Sequence, residues 1–280
     1  MKTILIPVDF TSTSDNALEF ALAWCRDFEY NHIILLKTFH ASIFENILPS
    51  TEYIHVSQEH RKDDMEMLRK RSQIFIDQSA PVIKVSIVAS EKTLLHSIID
   101  MLEGGKIELI VLGSDHIGHT EKSFISSQII EIAKASPVNV LIVPSTSKFQ
   151  VIQKVLVPVD IQSMGFLERL EKFGVKLTKR PDRELMILNV DANENYLVRD
   201  EAFERNENSL HSYLKNFQHE VYYANDKNII QGIINFLNKH PADLIVALPG
   251  KHSFLYSLTH KSISEALYRD APKPVLILKQ

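Results

Sequence analysis

The chain has 280 residues, 45% hydrophobic and 24% charged, with a formal net charge of −4. That length suits two domains that each bury a core, and the charge balance excludes a strongly basic nucleic-acid binder or a protein drawn to an anionic membrane. The single cysteine, Cys25, excludes an intrachain disulfide and fits a reducing compartment, so the expected address is the cytoplasm.

The opening MKTILIPVDF meets an aspartate too early for a secretory leader, and no apolar run reaches the length of a membrane span. Ile4 to Asp9 is short, apolar and β-branched, the pattern of a buried strand. The polar stretch after it leads into a helix, with Ser14 or Thr13 as the expected N-cap. Ala17, Leu18, Ala21, Leu22 and Cys25 form the stripe of a helix packed on a sheet, which makes Cys25 a buried, inert thiol. A second strand is expected over His32 to Phe39, followed by an apolar connection from His40 to Gln58. A charged helix follows over Glu59 to Ser79, with Met65, Leu68, Ser72 and Phe75 inward. Its run from Arg61 to Arg71 mixes signs, as a solvated helix face does. A third strand is expected over Val82 to Val88, then a helix from Thr93 to Glu103 stopped by Gly104 and Gly105. Glu108 to Pro144 reads as strand, polar loop, short helix starting near Ser126 and Ser127, and a last strand.

After a short polar linker, Ser145 to Gln153, the pattern restarts. The run ILIPVD returns as Val155 to Asp160, and the apolar helix beginning at Leu94 returns at Ile229. The strand ELIVLG returns as DLIVAL, and SPVNVLIV as APKPVLIL. The second copy is shorter between its second strand, Glu184 to Val190, and the next helix, roughly Tyr196 to Phe217. The fold expected is α/β: one domain duplicated, residues 1–146 and 152–280, each a parallel sheet with helices on both faces.

The loop after the fourth strand is the place for chemistry, because anions bind outside the carboxyl ends of such strands and against helix N-termini. There is no G-x-S-x-G elbow, H-E-x-x-H or P-loop in the chain. His116 and His119, and likewise His252 and His260, lack a third ligand at useful spacing, so no metal site is expected. Asp9 and Asp160 suit loop-capping carboxylates, and Ser126, Ser127 and Ser262 suit helix caps.

The strand ending in PVD, the five-stranded alternating pattern and the GS-loop-SS-helix-SPVNVLIVP ending resemble the universal stress protein family, in its tandem-domain form, over nearly the whole chain. The resemblance implies an adenine-nucleotide alpha-hydrolase-like fold with strand order 3-2-1-4-5 in each repeat. It also implies pairing of repeat one with repeat two through their last strands. Many members bind ATP, through an aspartate after the first strand and a G-x2-G-x9-G-[ST] loop. Asp9 matches that aspartate, Gly113 the first glycine and Ser127 the final hydroxyl, while His116 and Ser126 stand at the other two glycine positions and Gly118 lies nearby. Repeat two keeps Asp160 and Ser262 but has Leu248, Lys251 and Lys261 at its glycine positions. The implied function is a non-enzymatic stress-response protein, with ATP or a related adenine nucleotide, and Mg²⁺ with it, confined to the first repeat. A scaffold without nucleotide, a weak ATPase, a homodimer of the whole chain and an unidentified protein partner stay open; no nucleic acid or membrane is expected.

Overall fold

The computed structural model describes residues 2–39, 51–79, 83–115, 123–161, 170, 183–191, 201–248 and 271–279. The first repeat contains β1 (Thr3–Pro7), α1 (Ser12–Phe28), β2 (His32–Thr38), α2 (Thr51–Ser79), β3 (Lys84–Ser90), α3 (Leu94–Glu103), β4 (Ile107–Ser114), α4 (Phe124–Ala135) and β5 (Asn139–Pro144). The second contains β6 (Lys154–Val159), β7 (Glu184–Asp191), α5 (Glu201–Tyr213), β8 (Gln218–Asn225), α6 (Ile229–Lys239), β9 (Leu244–Ala247) and β10 (Val275–Ile277).

All ten strands form one sheet, ordered β3-β2-β1-β4-β5-β10-β9-β6-β7-β8. Each half therefore has the order 3-2-1-4-5, and neighbours within a half are parallel. Among the described strands only β5 and β10 run antiparallel, with Val275 opposite Ile142, Leu276 opposite Leu141 and Ile277 opposite Val140.

Side-chain alternation along the strands creates two apolar layers. Ile4, Ile6, Leu109 and Val111 point to the face carrying α1, with Leu68 of α2 and Phe203 and Leu210 of α5. Leu5, Ile110 and Leu112 point to the other, carrying Ile98 of α3, Ile129 of α4 and Ile233 of α6. The expected α1 stripe is buried throughout, and Phe20, Trp24 and Phe28 are buried as well. Their rings stack along the helix, Trp24 lying 4.0 Å from Phe28. Burial pushes the Cys25 thiol up to about 12, so it stays protonated and unreactive at neutral pH.

Several boundaries differ from the expected ones. The N-cap of α1 is Thr11, whose side chain accepts from the Ser14 N–H, while Thr13 and Ser14 lie inside the helix. Helix α2 begins at Thr51, so the second half of the expected connection is helical; residues 40–50 lie outside the described residues. Strand β3 runs to Ser90, two residues past the expected end, because it pairs with β2 through Thr38. Helix α5 is described over Glu201–Tyr213, and residues 192–200, where its expected start falls, lie outside the described residues.

The linker is less polar in place than in sequence. Ile152 is buried, and Phe149 stands edge-on to Phe20 with ring centres 5.0 Å apart. Asn16 of α1 donates to the carbonyls of Pro144 and Ser147. Arg183, just before β7, reaches back to Asp27 of α1, and their side chains are only 2% and 5% exposed. Its Nε donates to the Ile152 carbonyl at 2.8 Å and its guanidinium lies 5.0 Å from the Phe28 ring centre. Removing one member of such a pair strands a charge in the interior. Arg183→Met is expected to destabilise the protein by about 3–5 kcal/mol in urea unfolding; an unchanged midpoint would show that the pair does not hold the repeats in register.

Candidate functional site: the carboxyl ends of β1 and β4

Beyond β1 the chain turns through Asp9, Phe10 and Thr11 into α1; beyond β4 it leaves through Asp115 and re-enters at Ser123, the N-cap of α4. The two exits are knitted together by carboxylates. Asp9 Oδ1 accepts from the Thr11 hydroxyl at 2.6 Å and the Thr11 N–H at 3.2 Å. Its Oδ2 accepts from the Ser123 hydroxyl at 2.6 Å and the Ile125 N–H at 3.3 Å. Asp115 Oδ1 accepts from the Thr13 hydroxyl at 2.7 Å and Oδ2 from the Ser123 N–H at 2.9 Å. The Ser126 hydroxyl accepts from the Asp115 N–H, and the Ser126 N–H donates to Ser123 Oγ.

Burial alone would raise the Asp9 carboxyl; the hydrogen bonds from Ser123, Thr11 and the Ile125 N–H outweigh it and hold its pKa below the ordinary 3.8. Asp9 is thus an anion at neutral pH, placed at the positive end of α4.

Gly113 answers to a close approach, but of protein against protein. A β-carbon there would lie 2.6 Å from the Thr13 carbonyl oxygen and 2.9 Å from its methyl. The glycine lets the start of α1 lie directly on β4. The Ser127 hydroxyl donates to the Phe124 carbonyl one turn back. Helix α4 begins at Phe124, two residues before the expected Ser126, because Ser123 rather than Ser126 or Ser127 caps it. His116 and Gly118 lie outside the described residues, as do His119, Lys251, His252, His260, Lys261 and Ser262.

In the second repeat Leu248 is 2% exposed and belongs to the apolar core with Val159 and Ile161. The residue at the first glycine position of that repeat is part of the interior.

A phosphate cradle needs helix-end N–H groups free to meet an anion. The N–H groups opening α4 point to Asp9, Asp115 and Ser123 Oγ, and two carboxylates stand where an anion would need to lie. The described residues do not fit a phosphate at this helix end. Sequence reasoning passed over Asp115 and Ser123. The signal available was the spacing Ser123-x-x-Ser126 before an apolar run, which is a cap followed by its third helical residue.

Fold and loop geometry define an α/β protein of two doubly wound halves with a crevice at the end of the first strand. The chain belongs to the universal stress protein family, whose model matches residues 1–144 and again 152–279. A universal stress protein from Archaeoglobus fulgidus DSM 4304 has the same fold, at 19% identity over 99% of this chain and 98% of that one, with a TM-score of 0.69. A functionally unknown protein from Pseudomonas aeruginosa PAO1 matches at 14% identity over 99% and 92%, with a TM-score of 0.58. A universal stress protein in complex with cAMP covers 46% of this chain at 18% identity and a TM-score of 0.35. Among curated proteins no sequence matches. No helix among the described residues is long and apolar enough to cross a membrane.

Two outcomes follow from the geometry. Gly113→Ala is expected to cost about 1–3 kcal/mol in chemical unfolding by forcing α1 off β4. The Asp9 pKa is depressed on folding, so its contribution is full above the unfolded value of 3.8 and is lost as pH falls through the lower folded value. Unfolding curves should show Asp9→Asn less stable than wild type by roughly 1–3 kcal/mol at neutral pH, with the gap narrowing as pH falls below 3.8.

Proposed function

We propose that this chain is a non-enzymatic stress-response protein that acts by contact with a partner protein in the cytoplasm, and that its first-repeat crevice holds no nucleotide. The observation that carries this reading is Asp9: both its oxygens are engaged by Thr11, Ser123 and Ile125, so it serves as the internal tie between β1 and α4. Asp115 doubles the negative charge at that helix end. The reading takes residues 1–146 and 152–280 as the two working units, joined through β5 and β10 into an internal pseudo-dimer.

A second reading places an adenine nucleotide with Mg²⁺ in the first repeat alone. It is favoured by the presence there of Asp9, Gly113 and Ser127 together, against Leu248 in the second repeat. Thermal unfolding of the wild type with and without millimolar ATP and Mg²⁺ separates the two. A ligand present at a hundred times its dissociation constant adds about 2.7 kcal/mol. The first reading expects an unchanged transition; a shift of that size overturns it and leaves the second.

A further inference from the structure

Two histidines meet at the outer edge of the second repeat. His211 stands in the last turn of α5, and His219 is the second residue of β8, the strand that ends the sheet. A short turn joins them. Leu210 and Leu214 are buried to either side of His211. The Leu214 N–H donates to the Leu210 carbonyl at 3.0 Å, and the Phe217 N–H to the Leu214 carbonyl at 2.8 Å. Parallel pairing with β7 sets His219 opposite Leu185. Helix end and strand start are thus both fixed. The two rings face each other, with His211 Nδ1 2.8 Å from His219 Nε2 and ring centres 5.1 Å apart.

The proton positions follow from the partners. His219 Nδ1 lies 2.9 Å from the Phe217 carbonyl oxygen, which can only accept, so Nδ1 carries the proton. In the neutral ring Nε2 is then a bare lone pair aimed at His211. An imidazole whose far N–H is tied to a carbonyl has the tautomer and the fixed orientation of a metal ligand. Two imidazole nitrogens at about 2.0–2.1 Å from one ion stand roughly 2.9–3.4 Å apart, from square-planar to tetrahedral angles. The observed 2.8 Å falls just short of that range. His211 is exposed, so its ring can turn, its proton passing to Nε2 on the solvent side. In the first repeat, register places Val85 where His219 stands. The pair lies at the amino end of β8, away from the carboxyl-end crevice.

We propose that His211 and His219 form a two-histidine site for a divalent transition-metal ion, Cu²⁺ before Ni²⁺ or Zn²⁺, which replaces their hydrogen bond and clamps α5 to the edge strand. Imidazole suits these ions, and the affinity order puts copper first; Mg²⁺ and Ca²⁺ take oxygen ligands instead. Among the described residues no group of three or more His, Cys, Asp or Glu converges on one point. Glu207, one turn before His211, is held by the Tyr223 hydroxyl. Water therefore completes the coordination, and the ion is exchangeable. Its effect falls on β8, the strand of the second half farthest from the β5–β10 seam.

The test adds Cu²⁺ alone to the full chain in a non-coordinating buffer, with no nucleotide present. Isothermal titration of wild type is expected to show a tight step of one ion per chain. Electron paramagnetic resonance of that complex is expected to show coupling to two imidazole nitrogens. The chain has 12 histidines, so the variants decide where the ion sits. His211→Gln and His219→Gln are each expected to weaken the tight step at least about tenfold. Thermal melting in EDTA checks that each variant is folded; His219→Val, which installs the first repeat's residue at that position, serves if His219→Gln is not. A titration that neither substitution changes, or that only one of them changes, overturns the proposal, because the ion would then sit elsewhere or on a single imidazole.

Discussion

Three facing residue pairs, Val140 with Ile277, Leu141 with Leu276 and Ile142 with Val275, turn two separate sheets into one. Without that antiparallel seam each half would present its last strand as an open edge, with a row of unpaired N–H and C=O groups. Other contacts are arranged around the seam. Lys279 donates its N–H to Asn139 and its ammonium to the Ala133 carbonyl at the end of α4, where a cation is favoured. The Arg183–Asp27 pair crosses on the opposite layer, and the linker packs beside it through Phe149 and Ile152. The two repeats are thereby fixed on both faces of the sheet as well as along its middle.

The copies share a framework and differ at the ends of their strands. In the first, Gly113 admits α1 against β4, and Asp9 and Asp115 bind the starts of α1 and α4 to one another. In the second, Leu248 stands in the place of Gly113 and Ile161 in that of Phe10, both buried in the apolar core. Among the described residues, charge and hydrogen bonds tie the strand ends of the first copy, and apolar packing occupies these two positions in the second. Hydrogen-bonded closure is directional and is broken by changing one partner, while an apolar fill yields only when side-chain volume is removed.

Much of this was legible in the residues. Strand alternation and the apolar stripes of α1, α3 and α6 are consequences of burial, and burial writes itself into sequence period. The duplication was legible for the same reason. The helix starts were not. In Thr11-Ser12-Thr13-Ser14 and again in Ser123 to Ser127, several hydroxyl residues compete for one cap, and the choice is made by where a carboxylate from another segment lies. The contact of Gly113 with Thr13 was not legible, because a glycine's neighbours across the sheet leave no trace beside it in the chain. Lys37 from β2 and Arg71 from α2 meet over the Phe10 ring, and no local pattern announces such a meeting.

One consequence of the seam concerns geography. Strands within a half all point one way, and the single antiparallel junction makes the halves point opposite ways. The mouth beyond Asp9 and the position beyond Asp160 therefore look out from opposite poles of the molecule. The chain is two-headed, and each head has been free to change without regard to its twin.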